Sequence, residues 1–225
     1  VRFIVFMQGC PMRCQYCHNP DSWKMRTGEE LTADELLDKA LRYRAYWGDK
    51  GGITVSGGEA LMQMEFVTDL FEKAHAMGVT TCLDTSAQPF TREEPWFGDF
   101  AKLMAVTDTV LLDIKHIDDE AHRRLTRFGN ANILDCARYL SDIGKPVWIR
   151  HVLVPGITDD EASLVRLHDF LCSLSNIERI DVLPYHTLGT FKYEKLGIAY
   201  PLRDTPTPTP ESVARARNIL EGTIG

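Results

Sequence analysis

Six short apolar runs separated by stretches of helical periodicity constrain this chain more than anything else in its sequence. They lie at residues 2–7, 52–56, 79–84, 109–115, 146–152 and 179–184. Each has strand length and reads as a strand buried on both faces, as strands of a parallel sheet are. Between them, Thr32-Ala33-Asp34-Glu35 is a capping box that opens a helix whose apolar face includes Leu37, Ala40 and Leu41. Val67, Leu70, Phe71 and Ala74 recur at helical spacing, and so do Leu164, Leu167, His168 and Leu171. Repeated β–α units predict a parallel sheet. Six units are too few to close an eight-stranded barrel, so the expected fold is α/β, a partial (β/α)6 barrel with its helices outside. A doubly wound open sheet is the competing topology. The partial barrel spans residues 1–200 of a single 1–225 domain. In 201–225 a Thr- and Pro-rich stretch and a helix through Val213, Ala216 and Leu220 read as a brace.

The chain of 225 residues is 44% hydrophobic and 25% charged, which suits one domain with a full core. A net charge of −7 argues against binding a phosphate backbone, which needs clustered Lys and Arg, so nucleic acid is not expected as a partner. No apolar run approaches the roughly 20 residues of a membrane helix, and no membrane association is expected. Six cysteines with no basic-then-apolar leader fit a reducing, cytoplasmic setting. Of these, Cys82, Cys136 and Cys172 stand apart in apolar contexts and read as packing residues. The sequence opens at Val1 inside a strand run, which reads as the absence of an N-terminal segment.

Directly after the first strand, Cys10, Cys14 and Cys17 form a Cys-x3-Cys-x2-Cys triplet. Three thiolates on one loop suit an iron–sulfur cluster, and a four-iron cubane held by them keeps one iron without a protein ligand. Zinc completed by His18 is the alternative, and it requires adjacent Cys17 and His18 to turn onto one metal. Disulfides leave one thiol of three unpaired.

The remaining chemistry-bearing residues fall at the ends of later strands, where α/β barrels place their active sites. Gly57-Gly58-Glu59 follows the second strand; such a glycine pair either turns the chain into a helix or lets a ligand approach the backbone. Asp84, closing the third strand, either caps the next element or faces the rim. Asp113 and Lys115 share one face of the fourth strand while Ile114 takes the other. Such charges on a buried strand need a partner, either each other or a ligand. Arg150, between Trp148 and Val152 on one face of the fifth strand, calls for an anion such as a carboxylate, with Asp113 as the structural candidate. His186 follows the sixth strand in Pro184-Tyr185-His186.

The triplet with Tyr16 and His18-Asn19, followed in order by Gly-Gly-Glu, Asp84-Thr85, Asp113-x-Lys115, Trp148-x-Arg150, Val154-Pro155-Gly156 and Pro184-Tyr185-His186, resembles the radical S-adenosylmethionine (SAM) enzymes, and more narrowly their glycyl-radical enzyme activases. The resemblance implies one 4Fe–4S cluster on Cys10, Cys14 and Cys17, with SAM chelated to the open iron. It assigns SAM contacts to Tyr16, His18, Gly57, Gly58, Glu59, Asp84, Asp113, Ile114, Lys115, Arg150 and His186. Glu59, in its Gly-Gly-Glu motif, would help receive the methionyl ammonium, and a monovalent cation near Asp84 and Asp113 is a further ligand. The implied partners are a peptide loop of a glycyl-radical enzyme of the pyruvate formate-lyase type and a low-potential donor such as flavodoxin or ferredoxin. The pyruvate formate-lyase type follows from the lack of any cysteine in residues 18–56, where other activases carry a cysteine-rich insert. The family expects a glycine where Ala87 stands, and a glycine-rich stretch upstream of the first strand. A radical SAM enzyme acting on another glycyl-radical enzyme or on a small molecule, and a non-enzymatic zinc or electron-carrier module, are the other readings.

Overall fold

In the computed structural model, which describes residues 1–49 and 51–222, the chain forms one six-stranded parallel sheet flanked by eight α-helices. The end of the expected C-terminal segment, 223–225, lies outside the described residues. The strands are β1 (Arg2–Met7), β2 (Gly52–Gly57), β3 (Thr80–Thr85), β4 (Thr109–Asp113), β5 (Val147–Leu153) and β6 (Ile177–Pro184). The helices are α1 (Ala33–Leu41), α2 (Met64–Ala76), α3 (Trp96–Ala105), α4 (Asp119–Thr126), α5 (Ala131–Asp142), α6 (Glu161–Cys172), α7 (Thr190–Leu196) and α8 (Pro210–Leu220).

Spatial order follows chain order, β1-β2-β3-β4-β5-β6, with every neighbouring pair parallel. That order decides between the two topologies. A doubly wound sheet reverses its strand order at a switch point, and this one never reverses. Right-handed crossovers that all run in one direction put the helices on one face and curl the sheet around the other. The result is an open partial barrel, with β1 and β6 as its free edges.

The two faces are legible in β5, where Val147, Ile149, His151 and Leu153 are buried while Trp148, Arg150 and Val152 are half-buried. The buried set joins Ile53, Val55, Leu83, Val110 and Leu112 of the other strands against Leu70, Phe71, Leu103, Leu140 and Leu167 of the helices. Each such side chain contributes about 1.5–3 kcal/mol on burial. The half-buried set lines the concave face. A second, smaller cluster of Tyr16, Leu125, Tyr185, Tyr193 and Tyr200 packs beneath the cysteine loop.

Local signals hold at the helix starts. Thr32 and Glu35 form the reciprocal capping box of α1, Asp160 caps α6 through Ser163 N, and Thr209 caps α8 with Pro210 in its first turn. Cys82 and Cys136 are buried, as expected, but Cys172 is exposed near the end of α6, its sulfur 3.3 Å from His168 Nε2. An apolar sequence neighbourhood misassigned it because position 172 falls off the Leu164-Leu167-Leu171 stripe. No helix among the described residues is long and apolar enough to cross a membrane.

Candidate active site

Residues 9–19 leave β1 as an irregular loop whose backbone is anchored on three sides. Gly9 N and Cys10 N donate to the carbonyls of Ser22 and Trp23 at 2.8 and 3.2 Å, and Arg13 N and Gln15 N donate to Thr126 and Leu125 at 3.0 Å each. The latter two carbonyls are the free C-terminal acceptors of α4, so the helix end and the loop satisfy each other. From the third side Tyr193 Oη donates to the Cys17 carbonyl at 3.0 Å. The Arg13 guanidinium binds the carbonyls of Cys10 and Met12, both at 2.7 Å, and lies over the Trp23 ring. This fixes the turn that separates Cys10 from Cys14.

The three cysteines are half-exposed, and all of them line a cavity of about 550 Å³ on the concave side of the sheet. Burial pushes the Cys10 thiol up to about 11 and the Cys14 thiol up to about 12, and raises Cys17 as well. Such thiols keep their protons at neutral pH until a metal displaces them. No three His, Cys, Asp or Glu side chains among the described residues converge as ligands of a single ion. A cubane asks for something else, one thiolate per iron around a body several ångströms across. The Asn19 amide points at Cys17 Sγ, 3.4 Å away, the kind of contact that tunes a cluster's potential.

Gly57 and Gly58 close β2 beside this loop. Gly57 has φ +113, outside the range of ordinary side chains, and a Cβ on Gly58 would collide with the carbonyl of Gly9. Gly58 N in turn donates to Met7 O at 2.9 Å, and Glu59 N to Gly9 O at 2.7 Å. The glycine pair thus lets β2 and the cysteine loop touch main chain to main chain.

Glu59 does not reach the cavity, contrary to the role the resemblance assigned its side chain. It is 1% exposed, and its carboxylate accepts from the Thr85 hydroxyl, from Ser86 N and Oγ at 2.9 and 2.6 Å, and from Leu61 N at 3.1 Å. The side chain ties the end of β3 to the turn after β2. Glu59→Ala leaves these donors buried without an acceptor and is expected to lower stability by about 3–5 kcal/mol. Glu59→Gln, which keeps part of the set, should cost less than half of that in urea unfolding, and equal midpoints for the two variants would contradict the assignment. Ala87, in the turn so tied, holds φ +54. The left-handed geometry for which a glycine was expected is therefore present, with alanine carrying its strain of about 1–2 kcal/mol.

Deeper in the cavity a ring of four charges spans three strands. Arg150 Nε donates to Asp113 Oδ1 at 2.9 Å and its Nη2 pairs with Asp84; Lys115 Nζ donates to Asp113 Oδ2 at 3.0 Å; Ser56 Oγ donates to Asp84 Oδ2 at 2.7 Å. The register places Asp113 directly opposite Arg150, which is why the two meet. β4 ends at Asp113, earlier than the sequence suggests, yet Lys115 still turns to the same side. Burial works to raise Asp113, but Arg150 and Lys115 outweigh it and hold the carboxyl at about 2. Burial, together with the neighbouring Asp113 charge, pushes Asp84 up to about 6 against the pull of Arg150. Burial alone would lower Lys115, but Asp113 more than offsets it and holds the ammonium well above the ordinary lysine range. The Tyr16 hydroxyl is buried with no hydrogen-bond partner among the described residues, and Lys115 Nζ lies 5.7 Å from the tyrosine ring.

The structure thus gathers Cys10, Cys14, Cys17, Tyr16, His18, Gly57, Gly58, Asp84, Asp113, Lys115 and Arg150 around one cavity. Ile114 is not among them: its side chain is 1% exposed in the core behind the sheet, and only its main chain is near, N donating to Arg150 O and O accepting from His151 Nδ1. His186 stands just outside, its ring stacked on His18 at 4.0 Å while its carbonyl meets His18 Nε2 at 3.0 Å. Ser56, Lys192 and Tyr193 join the site or its supports without having been read from the sequence, and Thr85, quoted there only as part of Asp84-Thr85, lines the cavity and donates its hydroxyl to Glu59. Ser56 lies two residues beyond Thr54 on the cavity face of β2, so strand parity alone carried a signal for it.

These residues fit a cluster and its nucleoside ligand on their own chemistry: three thiols at the rim, a backbone cradle that a Cβ would fill, an orphaned hydroxyl and a set of fixed charges. The chain belongs to the radical SAM superfamily, whose family model matches residues 4–168. Curated relatives narrow this further. The pyruvate formate-lyase-activating enzyme of Streptococcus mutans is 53% identical over 98% of this chain and 84% of its own length, and that of Listeria monocytogenes 49% over 98% and 90%. Among solved structures, a domain of the pyruvate-formate lyase-activating enzyme from Bacteroides vulgatus aligns with TM-score 0.62 at 26% identity, covering 76% of this chain and 93% of that one. A radical SAM methyltransferase from Sphaerobacter thermophilus, 18% identical with TM-score 0.65 over 97% of this chain and 63% of its own, shares the fold. Within the superfamily, the chain belongs with the pyruvate formate-lyase-activating enzymes.

Proposed function

We propose that this protein activates pyruvate formate-lyase by generating a glycyl radical on it. The observation that carries the reading is the placement of three thiols and a balanced charged ring around one cavity, in a chain about half identical to activating enzymes over nearly its full length. Held by Cys10, Cys14 and Cys17, a 4Fe–4S cluster would supply the electron for reductive cleavage of SAM, the chemistry by which a hydrogen would be removed from the partner's glycine α-carbon.

The chain's own residues hold and orient. The Gly57-Gly58 main chain borders the space beside the cysteines that the methionyl end requires, and the Tyr16 hydroxyl offers an unmet hydrogen bond at the same level. His18 presents its ring face, backed by His186, to the cavity edge where the adenosine belongs. Lys115 and Arg150 are the cations for the SAM carboxylate and ribose. Two carboxylates against two cations leave the ring neutral as it stands. When either cation turns to the ligand, Asp84 and Asp113 carry surplus negative charge that a monovalent cation near them balances. No residue is needed as a general acid or base, since the hard chemistry lies in the cofactors. Cleaving a sulfonium calls for the low end of iron–sulfur potentials, hence a strong donor such as flavodoxin or ferredoxin.

The test is anaerobic reconstitution with iron and sulfide, then incubation with SAM, reductant and pyruvate formate-lyase. A glycyl signal by electron paramagnetic resonance together with 5′-deoxyadenosine is the expected result. Deoxyadenosine release without a glycyl signal would move the substrate elsewhere, and neither product would defeat the reading.

A further inference from the structure

Fifteen large apolar side chains are exposed among the described residues, and five of them, Leu183, Leu188, Phe191, Leu196 and Ile198, fall within residues 183–198. Scattered exposed apolar residues are ordinary, but a concentration of them marks an interaction surface. This one is fixed against the active site. Leu183 itself lines the cavity, His186 stacks on His18, Lys192 Nζ donates to Asn19 Oδ1 at 2.8 Å, and Tyr193 Oη binds the Cys17 carbonyl. The inner side of the segment therefore packs on the cysteine loop that lines the cavity, with Leu183 in the lining itself. Its outer side carries Leu188, 77% exposed, and Phe191, 49% exposed. Across the gap between the free sheet edges, Ile4 and Phe6 of β1 form a second apolar lip, 53% and 58% exposed and also lining the cavity.

A cavity of about 550 Å³ is of ligand size and admits a cofactor and a loop tip, not a folded protein. A protein that offers such a loop must rest its surface on whatever surrounds the mouth. A small-molecule substrate would have no use for apolar side chains outside it. We infer that the outer face of residues 186–198, centred on Leu188 and Phe191, is the docking surface for the folded body of the glycyl-radical partner, beside the opening through which its glycine loop enters. This inference rests on the proposed function. Its occupant follows from continuity: the patch is carried by a segment that follows Leu183 of the cavity lining and rests on His18, Asn19 and Cys17 of that lining, so a protein whose loop enters the mouth meets the patch beside it. A few residues near the centre of an interface commonly carry most of its affinity.

The test uses the cluster-loaded full chain with Leu188→Glu and Phe191→Glu together, and the milder Leu188→Ala and Phe191→Ala pair. Iron content and 5′-deoxyadenosine release without any partner should match wild type. So should radical formation on a short peptide carrying the partner's glycine loop. Affinity for intact pyruvate formate-lyase should fall at least tenfold in the glutamate pair and less in the alanine pair. Unchanged affinity for the intact partner would overturn the docking surface, as would equal losses on peptide and protein, which would place both residues in loop binding instead. A wild-type dimer in sedimentation that the glutamate pair dissolves would give the patch to a second copy of the chain. Wild-type protein that produces no glycyl radical on either substrate would remove the function beneath the inference, an outcome separable from the others because it needs no variant.

Discussion

Cys14→Ala is expected to lose essentially all cluster iron and, with it, all SAM cleavage, whereas Cys136→Ala keeps both. Cys14 sits on the rim loop with its sulfur toward the cavity, and its neighbours in the triplet cannot replace it because their backbone is fixed. Cys10 is held by Trp23 O and Cys17 by Cys14 O and Tyr193. Cys136 is fully buried in α5 within the main core, where its sulfur only packs. Removing it should cost on the order of 1 kcal/mol, visible in unfolding but not in iron content. The measurement is iron and sulfide per chain after anaerobic reconstitution, with the cluster's visible absorbance as a second readout. Equal iron in the two variants would mean that the triplet does not hold the cluster.

How far the sequence leads here depends on the range of each interaction. The six strands were legible as short apolar runs, although burial on both faces does not hold: one face of β5 is half-buried and the edge strands β1 and β6 expose side chains such as Ile4, Phe6 and Leu183. The capping box of α1 was legible because it closes within three residues. Asp113 and Lys115 were legible as a pair because strand parity fixes which side chains share a face. The destination of Glu59 was not, since the hydroxyls and amide that claim it belong to Thr85 at the end of β3 and to Ser86 just after it, 26 and 27 residues further on, and nothing local to Gly-Gly-Glu announces them. The resemblance assigns Ile114 to the site, but the parity that joins Asp113 to Lys115 on one face sends the Ile114 side chain into the core. The contribution of α7 was invisible for a related reason. Lys192 and Tyr193 reach Asn19 and Cys17 across more than 170 residues, a distance in sequence that only the curl of the sheet brings together. Ala87 stands where the resemblance expects a glycine, yet the turn keeps left-handed geometry at the alanine, with Glu59 holding Thr85 and Ser86 in place ahead of it.

Asp113→Asn should be among the most destabilising single changes in the charged ring, and Asp84→Asn should be nearly silent or stabilising. The two carboxylates look alike in the sequence, each closing a strand, but their surroundings differ. Asp113 takes hydrogen bonds from both Arg150 and Lys115, and removing its charge leaves two cations in a largely buried site with only Asp84 to oppose them. Breaking such a buried pair costs about 3–5 kcal/mol. At a few degrees per kcal/mol for a domain of this size, the midpoint of thermal unfolding should fall by roughly 10 °C. Asp84 shares only Arg150, and an asparagine there still accepts from the guanidinium and exchanges a hydrogen bond with Ser56. The pH dependences run in opposite senses. Asp113, held at about 2 by its cations, contributes stability above pH ~4 that disappears as the pH falls toward 2, so the gap between Asp113→Asn and wild type should close in acid. Asp84, pushed up to about 6, favours the folded chain below pH ~4, a contribution lost as the pH rises through 6. Asp84→Asn should therefore match wild type near pH 4 and unfold at an equal or higher temperature at pH 7. Thermal scans of the metal-free protein between pH 3 and pH 7 check both, and equal penalties for the two variants at neutral pH would show that the ring does not divide its charges in this way.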